Sequence, residues 1–310
     1  MEEKAPVILF VYNRLEHTRQ TLESLARNTL AKDSRLYIFS DGCRSPKDKK
    51  GVEDVREYID RVAEGDWFQK VEVIKSARNK GLAQSIITGV SQIIKEAGRV
   101  IVLEDDLLTD PFFLDYMNDA LDHYNADDRI WGVSAYSAHM KSVTKDVYFA
   151  PRLSSWGWGT WKVCWEKIDW DVNSYGRFCL NLGRRRAFNV AGNDLAYMLD
   201  RQMRGDIDSW AIRFCYSLFE HGKYTVFPRY SLVRNIGQDG SGTHCMEILE
   251  EDSFSSRNTA VVPEPFYIEE RILKEYKKRK HVSRLALLKN YICLFIQTCK
   301  FRRRHSYRDA

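Results

Sequence analysis

Three consecutive carboxylates, Glu104-Asp105-Asp106, follow directly on the apolar run Val100-Ile-Val-Leu103. Such a run reads as a buried strand. Buried strands do not normally end in adjacent acids, because each charge leaving water costs free energy unless it is paired. A divalent cation held by hard oxygen ligands would offset that cost. In an open α/β sheet, ligands bind outside the carboxyl ends of the strands, so the triplet stands where a metal–diphosphate complex would dock. The plainer alternative is an acidic strand-to-helix turn, with Thr109-Asp110-Pro111 starting the helix.

Other chemistry-bearing groups also follow apolar runs. Asn13-Arg14 ends the run at residues 6–12, and Asp41-Gly42 ends the run at 36–40. Six of the eight tryptophans lie between Trp131 and Trp170, most densely in Ser154-Ser-Trp-Gly-Trp-Gly-Thr-Trp161. Flat rings beside glycines can stack a sugar, or they can form a core corner. Asp206-Ile-Asp-Ser-Trp210 is a polar turn between two helical segments; its acids either do chemistry or cap the helix that begins near Ser209. The stretch 235–244 holds three glycines with Ser241, Thr243 and His244. It either wraps a diphosphate through exposed N–H groups or is a surface loop without a task.

The elements that must position these groups alternate. Strands at 6–12, 36–40, 71–74 and 100–103 are separated by helical patterns at 15–30, 47–62 and 82–97. That alternation predicts an α/β fold with a mostly parallel sheet flanked by helices. Further on, helices are expected at 195–204 and 211–219, and short strands at 224–227 and 231–234. With 310 residues and 44% hydrophobic content, the chain can build one large domain or two small ones. The seven cysteines are scattered, with no Cys-x-x-Cys pair, which suggests neither a zinc site nor a disulfide framework. No apolar run reaches the ~18 residues of a membrane span, and the N-terminus lacks a signal-peptide pattern. A cytoplasmic setting is expected.

Charge divides the chain. From Arg271 onward there are thirteen Lys and Arg against Glu275 and Asp309, a net +11, which leaves −6 on the first 270 residues of a chain whose total is +5. A basic tail seeks phosphate. Between residues 281 and 304 it is also amphipathic, so it is expected either to lie in an anionic membrane surface or to dock on the body as a terminal helix.

Taken in order over residues 5–250, these features resemble nucleotide-sugar glycosyltransferases of the GT-A fold. The nearest likeness is to the N-acetylglucosaminyltransferase I family and bacterial relatives in surface-polysaccharide synthesis. The carrying residues are Asn13-Arg14, Phe39-Ser-Asp41, Leu103-Glu-Asp-Asp106, Trp156-Gly-Trp158, Asp208-Ser-Trp210 and the 235–244 loop. Two departures are visible. Asn79-Lys80 stands where that family has a base-contacting His, and Asp206 rivals Asp208 in the turn. The resemblance implies a Rossmann-like GT-A domain over residues 1–270, with a nucleotide-binding half at 1–108, an acceptor half at 109–270 and the basic tail at 271–310.

It further implies a UDP-sugar donor, manganese or magnesium, and inversion at the anomeric carbon. Asp106 would bind the metal, Asp105 the ribose or water on the metal, and Glu104 would face the donor sugar. Asp41 would read the uracil, and Arg14 with Gly240, Ser241 and His244 would hold the diphosphate. Trp158 or Trp210 would pack on a sugar ring, and Asp208 would act as base. The acceptor would be a saccharide, lipid-linked if the tail brings the enzyme to the inner face of the membrane; no nucleic-acid partner is implied. Two other classes compete. A sugar-nucleotide nucleotidyltransferase would want a glycine-rich loop directly after the first strand, which Asn13-Arg14-Leu-Glu16 is not. A non-catalytic glycan- or lipid-binding protein could keep the same fold.

Overall fold

The computed structural model describes residues 3–138, 140–237 and 263–306. The first third alternates as the patterning predicts: β1 (Val7–Val11), α1 (Leu15–Ala26), β2 (Arg35–Ser40), α2 (Lys49–Glu64), β3 (Lys70–Lys75), α3 (Leu82–Ala97) and β4 (Arg99–Glu104). A short β5 (Leu107–Thr109) then precedes α4 (Phe113–His123), so the acid triplet leads into a strand before any helix starts. Next come β6 (Ile130–Ser134), β7 (Val147–Ala150) and β8 (Trp158–Trp161). The helices α5 (Lys162–Trp165), α6 (Tyr175–Phe178), α7 (Leu182–Phe188), α8 (Asp194–Arg204) and α9 (Trp210–His221) follow, then β9 (Tyr224–Pro228) and β10 (Val233–Asn235). Helices α10 (Glu270–Arg279) and α11 (Arg284–Ser306) close the chain.

Eight strands form one sheet in the order β3-β2-β1-β4-β8-β6-β9-β7, while β10 pairs with β5 in a separate ribbon. Strands β3, β2, β1 and β4 are parallel. Beyond them β8 runs antiparallel to both β4 and β6, β9 runs parallel to β6, and β7 is antiparallel to β9. The sheet is therefore mixed, parallel in the half built by β3, β2, β1 and β4, with helices flanking it in a GT-A-like arrangement. Every residue of β1 is buried, as is every residue of β4 from Val100 to Leu103. Burial on both faces is what makes those strands read as continuous apolar runs. Helix α3 stops at Gly98, whose φ of 74° lets its N–H close on Ile94 O at 2.9 Å.

The basic C-terminal segment packs on the body. The expected division at residue 270 falls at the start of α10, whose Ile272 and Tyr276 are buried in a small second core with Tyr148 and Phe227. Glu275 accepts from the backbone N–H groups of Lys141 and Ser142, both at 3.0 Å. Helix α11 is pinned to α8 through Asn290, which donates to the Asp200 carboxylate and accepts from Arg204 Nη1 at 2.7 Å. Among the described residues, no helix is long and apolar enough to cross a membrane.

Under α11 lies the most deeply buried ion pair among the described residues of the second half. Arg185 meets Asp200 through both forks, at 2.8 and 2.6 Å, with side chains only 3% and 0% exposed. Tyr175 Oη adds a third bond to Asp200 at 3.0 Å. Removing one member leaves the other charge buried without compensation, which typically costs about 3–5 kcal/mol. Arg185→Ala is therefore expected to lower stability by that amount in urea denaturation. A loss below about 1 kcal/mol would show that the pair is not the anchor it looks to be.

Candidate active site

Because β2, β1 and β4 are adjacent and parallel, their carboxyl ends open on one edge of the sheet. That geometry gathers Asp41, Arg14 and the Glu104-Asp105-Asp106 triplet. Arg14 is the closest partner of the acids. Its Nη2 donates to Asp105 Oδ1 and, at 2.8 Å, to Asp106 Oδ2. Burial works against the Arg14 charge, but the two carboxylates outweigh it and raise its pKa further. Burial also pushes Asp105 up, against the pull of Arg14. Glu104 is pushed up to about 8, first by burial and then by Asp106 and Asp105. One guanidinium thus faces three acids.

Two polar atoms here are buried without a hydrogen-bond partner: Arg14 Nη1 and Asp105 Oδ2. One is a donor suited to a phosphate oxygen, the other an acceptor suited to a cation or a sugar hydroxyl. Such orphans mark a place where a ligand completes the bonding. Among the described residues, no three His, Cys, Asp or Glu side chains converge to hold a metal. Asp105 and Asp106 nonetheless offer two adjacent hard oxygen donors. Mg²⁺-type sites commonly use one or two carboxylates and draw their remaining ligands from phosphates and water.

The loop carrying the triplet is held by a polar face of α1 and the turn after it, which the apolar spacing does not show. Thr21 Oγ1 donates to Asp105 O at 2.9 Å. Ser24 Oγ accepts from the Thr109 N–H at 3.0 Å, and Asn28 Nδ2 donates to Thr109 Oγ1 at 3.0 Å. Asn28 Oδ1 also accepts from the Leu114 N–H. Thr18, Thr21, Ser24 and Asn28 are all buried, and their three- and four-residue spacing was the available signal: a polar stripe where a helix should bury an apolar one.

From the other side, β10 pairs with β5 in a register that sets Asn235 opposite Leu107, and the Ile236 N–H donates to Asp106 O at 2.9 Å. The chain then runs over the acids at Gly237. A Cβ there would overlap the Asp106 carboxylate and stand 2.9 Å from Arg14 Nη1. The glycine-containing loop therefore starts at the site; Gly240, Ser241 and His244 lie outside the described residues.

Asp41 sits on the neighbouring strand end. Its carboxylate accepts from the backbone N–H groups of Gly42 at 2.9 Å and of Lys80 and Gly81 at 3.0 Å. Asn79 Nδ2 donates to Gly42 O. Asn79-Lys80, which replaces the expected His, is thus clamped against Asp41-Gly42.

The aromatic expectation changes. Trp158 is fully buried, with Trp210 stacked 4.5 Å away and Trp165 5.8 Å away. Trp210 is likewise buried. Both are core rings, because β8 lies inside the sheet with Trp158 opposite Val102, and neither offers a free face to a sugar. The partly buried rings of the group are Trp156, edge-on to Tyr136 at 4.4 Å, and Trp170, tilted on Trp165 at 4.6 Å. The stack carries α9 and the turn before it: Trp210 anchors the helix whose preceding Asp208 is exposed and bonds Arg213 Nη2 at 2.9 Å. Asp206 pairs with Arg204 at 2.8 Å. Neither acid caps α9; Ser209 does, accepting from the Ile212 N–H.

An acid-ended parallel half-sheet with a basic partner, a glycine entering over it and a second, mixed half-sheet define a glycosyltransferase-type α/β enzyme. The chain belongs to glycosyl transferase family 2, which it matches over residues 7–168. That match is to the wider family and not to the N-acetylglucosaminyltransferase I family that the motifs resemble; the turn with Asp206 and Asp208 lies beyond it. Among solved structures, the chain is similar to S. aureus TarS at 17% identity and a TM-score of 0.33, over 49% of this chain and 25% of that one. It therefore spans about a quarter of the length of that protein. No curated protein matches the chain.

Gly237→Ala tests the cradle. The added methyl must force Asp106 away from Arg14, an overpacking that typically costs about 1–3 kcal/mol. Affinity for a nucleoside diphosphate is expected to fall by about tenfold or more, by calorimetry, with the melting temperature lowered by no more than a few degrees. Unaltered affinity would remove Gly237 from the site.

Proposed function

We propose that the chain is a metal-dependent, inverting glycosyltransferase that moves a sugar from a UDP-sugar to a glycan or lipid-linked saccharide in surface-polysaccharide synthesis. The observation that carries this reading is the meeting of Arg14 with Asp105 and Asp106 beneath Gly237. The family's chemistry is sugar transfer, and the family motifs supply the finer assignments.

Asp106 would hold a manganese or magnesium ion, with Asp105 beside it. Bound there, the ion would act as a Lewis acid toward the leaving diphosphate. Arg14 offers its free Nη1 to a phosphate oxygen, a charge-assisted bond. Glu104, pushed up by burial and by its acidic neighbours, would face the donor sugar. Asp41 would read the uracil edge from a carboxylate already fixed by Lys80 and Gly81. The acceptor hydroxyl oxygen forms the new bond to the anomeric carbon as the bond to the diphosphate breaks. Its proton passes to Asp208, which reaches solvent and so can meet an incoming acceptor.

Two substitutions test the reading. Asp106→Ala is expected to abolish metal-dependent UDP binding in calorimetry while the protein melts normally; affinity equal to the parent would refute the metal assignment. Asp208→Asn loses only an exposed pair with Arg213, worth about 0–1 kcal/mol, since Ser209 supplies the helix cap. It is expected to bind UDP-sugar normally and to transfer at least ~100-fold more slowly, with Asp206→Asn mild. The opposite ranking would move the base two residues upstream, and normal transfer by both would take this turn out of the mechanism.

A further inference from the structure

Helix α11 meets the body on one side only. Asn290 and Leu294 are buried and Ala286 and Leu287 partly so, and these residues share one face. On the opposite side Leu285, Leu288 and Ile292 are 62%, 57% and 50% exposed. Their i, i+3, i+7 spacing makes them a single stripe. Large aliphatic side chains aligned in water on a helix that is already tethered mark an interaction surface. Arg284 and Lys289, both exposed, flank the stripe, and the segment from Arg271 carries +11 against −6 for the rest of the chain.

We propose that this stripe lies in the headgroup–acyl boundary of an anionic bilayer. The basic residues rest on the headgroups, and the docked face holds the body in a fixed orientation above the surface. The inference rests on the reading of a membrane-borne acceptor and adds the face that meets the membrane. Charge selects the occupant. Two tails of +11 brought face to face would repel, and a phosphate backbone has no use for Leu285, Leu288 and Ile292. An anionic bilayer satisfies both features, since apolar side chains enter the acyl boundary and each basic residue near the surface strengthens partitioning about five-fold.

The test uses the full chain and vesicles of phosphatidylcholine with or without phosphatidylglycerol, read by flotation. Binding is expected to the anionic vesicles at low salt and to fall as salt screens the headgroups. Leu288→Glu/Ile292→Glu is expected to weaken that binding at least ~tenfold while melting and UDP-sugar hydrolysis in solution stay as in the parent. Val163→Glu, at an equally exposed apolar position on α5, is expected to leave it intact. Three results would overturn the proposal: a parent chain that ignores anionic vesicles at low salt, a double variant that binds like the parent, or a dimer in solution that the double variant dissolves. Vesicle binding is read without donor or acceptor, so a failure of sugar transfer bears on the enzymatic reading alone.

Discussion

The bond between Arg14 and the carboxylates of Asp105 and Asp106 is the constraint around which the sheet edge is built. An apolar strand delivers three acids into a region with little water, and one guanidinium answers them. The imbalance shows in Glu104, whose pKa is pushed up to about 8 by burial and by the neighbouring carboxylates. A site left one positive charge short favours whatever cation can enter with a polyanion. It stays ordered meanwhile because the backbone around it is fixed by neutral groups. Thr21 and Ser24 of α1 hold the loop on one side and the β5–β10 ribbon holds it on the other. These bonds join backbone groups to neutral hydroxyls or to one another, so none of them requires a charge on the acids.

What was legible in the sequence follows from how far apart the interacting residues are. Strands β1 to β4 could be read because a parallel strand buried on both faces is a continuous apolar run, and because each functional group sits within three residues of its strand end. Strands β6, β7 and β8 were not read. They are four or five residues long, and Ile130-Trp-Gly-Val-Ser134 and Trp158-Gly-Thr-Trp161 show neither alternation nor an unbroken apolar run. Residue type alone could not tell a sugar platform from a core ring, so Trp158 and Trp210 were assigned to the ligand although they stack on each other. The support from Thr21, Asn28 and Gly237 depends on contacts across 81 or more residues, which no local pattern encodes.

The charge split along the chain has a structural counterpart in α11, which faces two environments at once. Its inner face is specified by polar complementarity: the Asn290 amide donates to Asp200 and accepts from Arg204 at once. Its outer face is specified by nothing in the body. With apolar residues on both faces, the helix is less amphipathic than the sequence suggests, which is why the tail reads either as a docked helix or as a surface one.

The aromatic stack joins the two halves of the molecule. Trp158 is opposite Val102, two residues before Glu104 on β4, and its ring bears on Trp210 at the start of α9. The strand that ends in the acids and the helix that begins after Asp208 therefore share one buried contact. Offset-stacked rings resist sliding and tilting, because each departure loses contact area and quadrupole alignment. The turn with Asp208 is tied to α8 through Asp206 with Arg204 and the Ser209 N–H with Gln202, and the stack adds a buried anchor that ties it to the sheet. Dense tryptophan in this segment is better explained by that demand for rigidity between distant chain segments than by a demand for rings to touch a sugar.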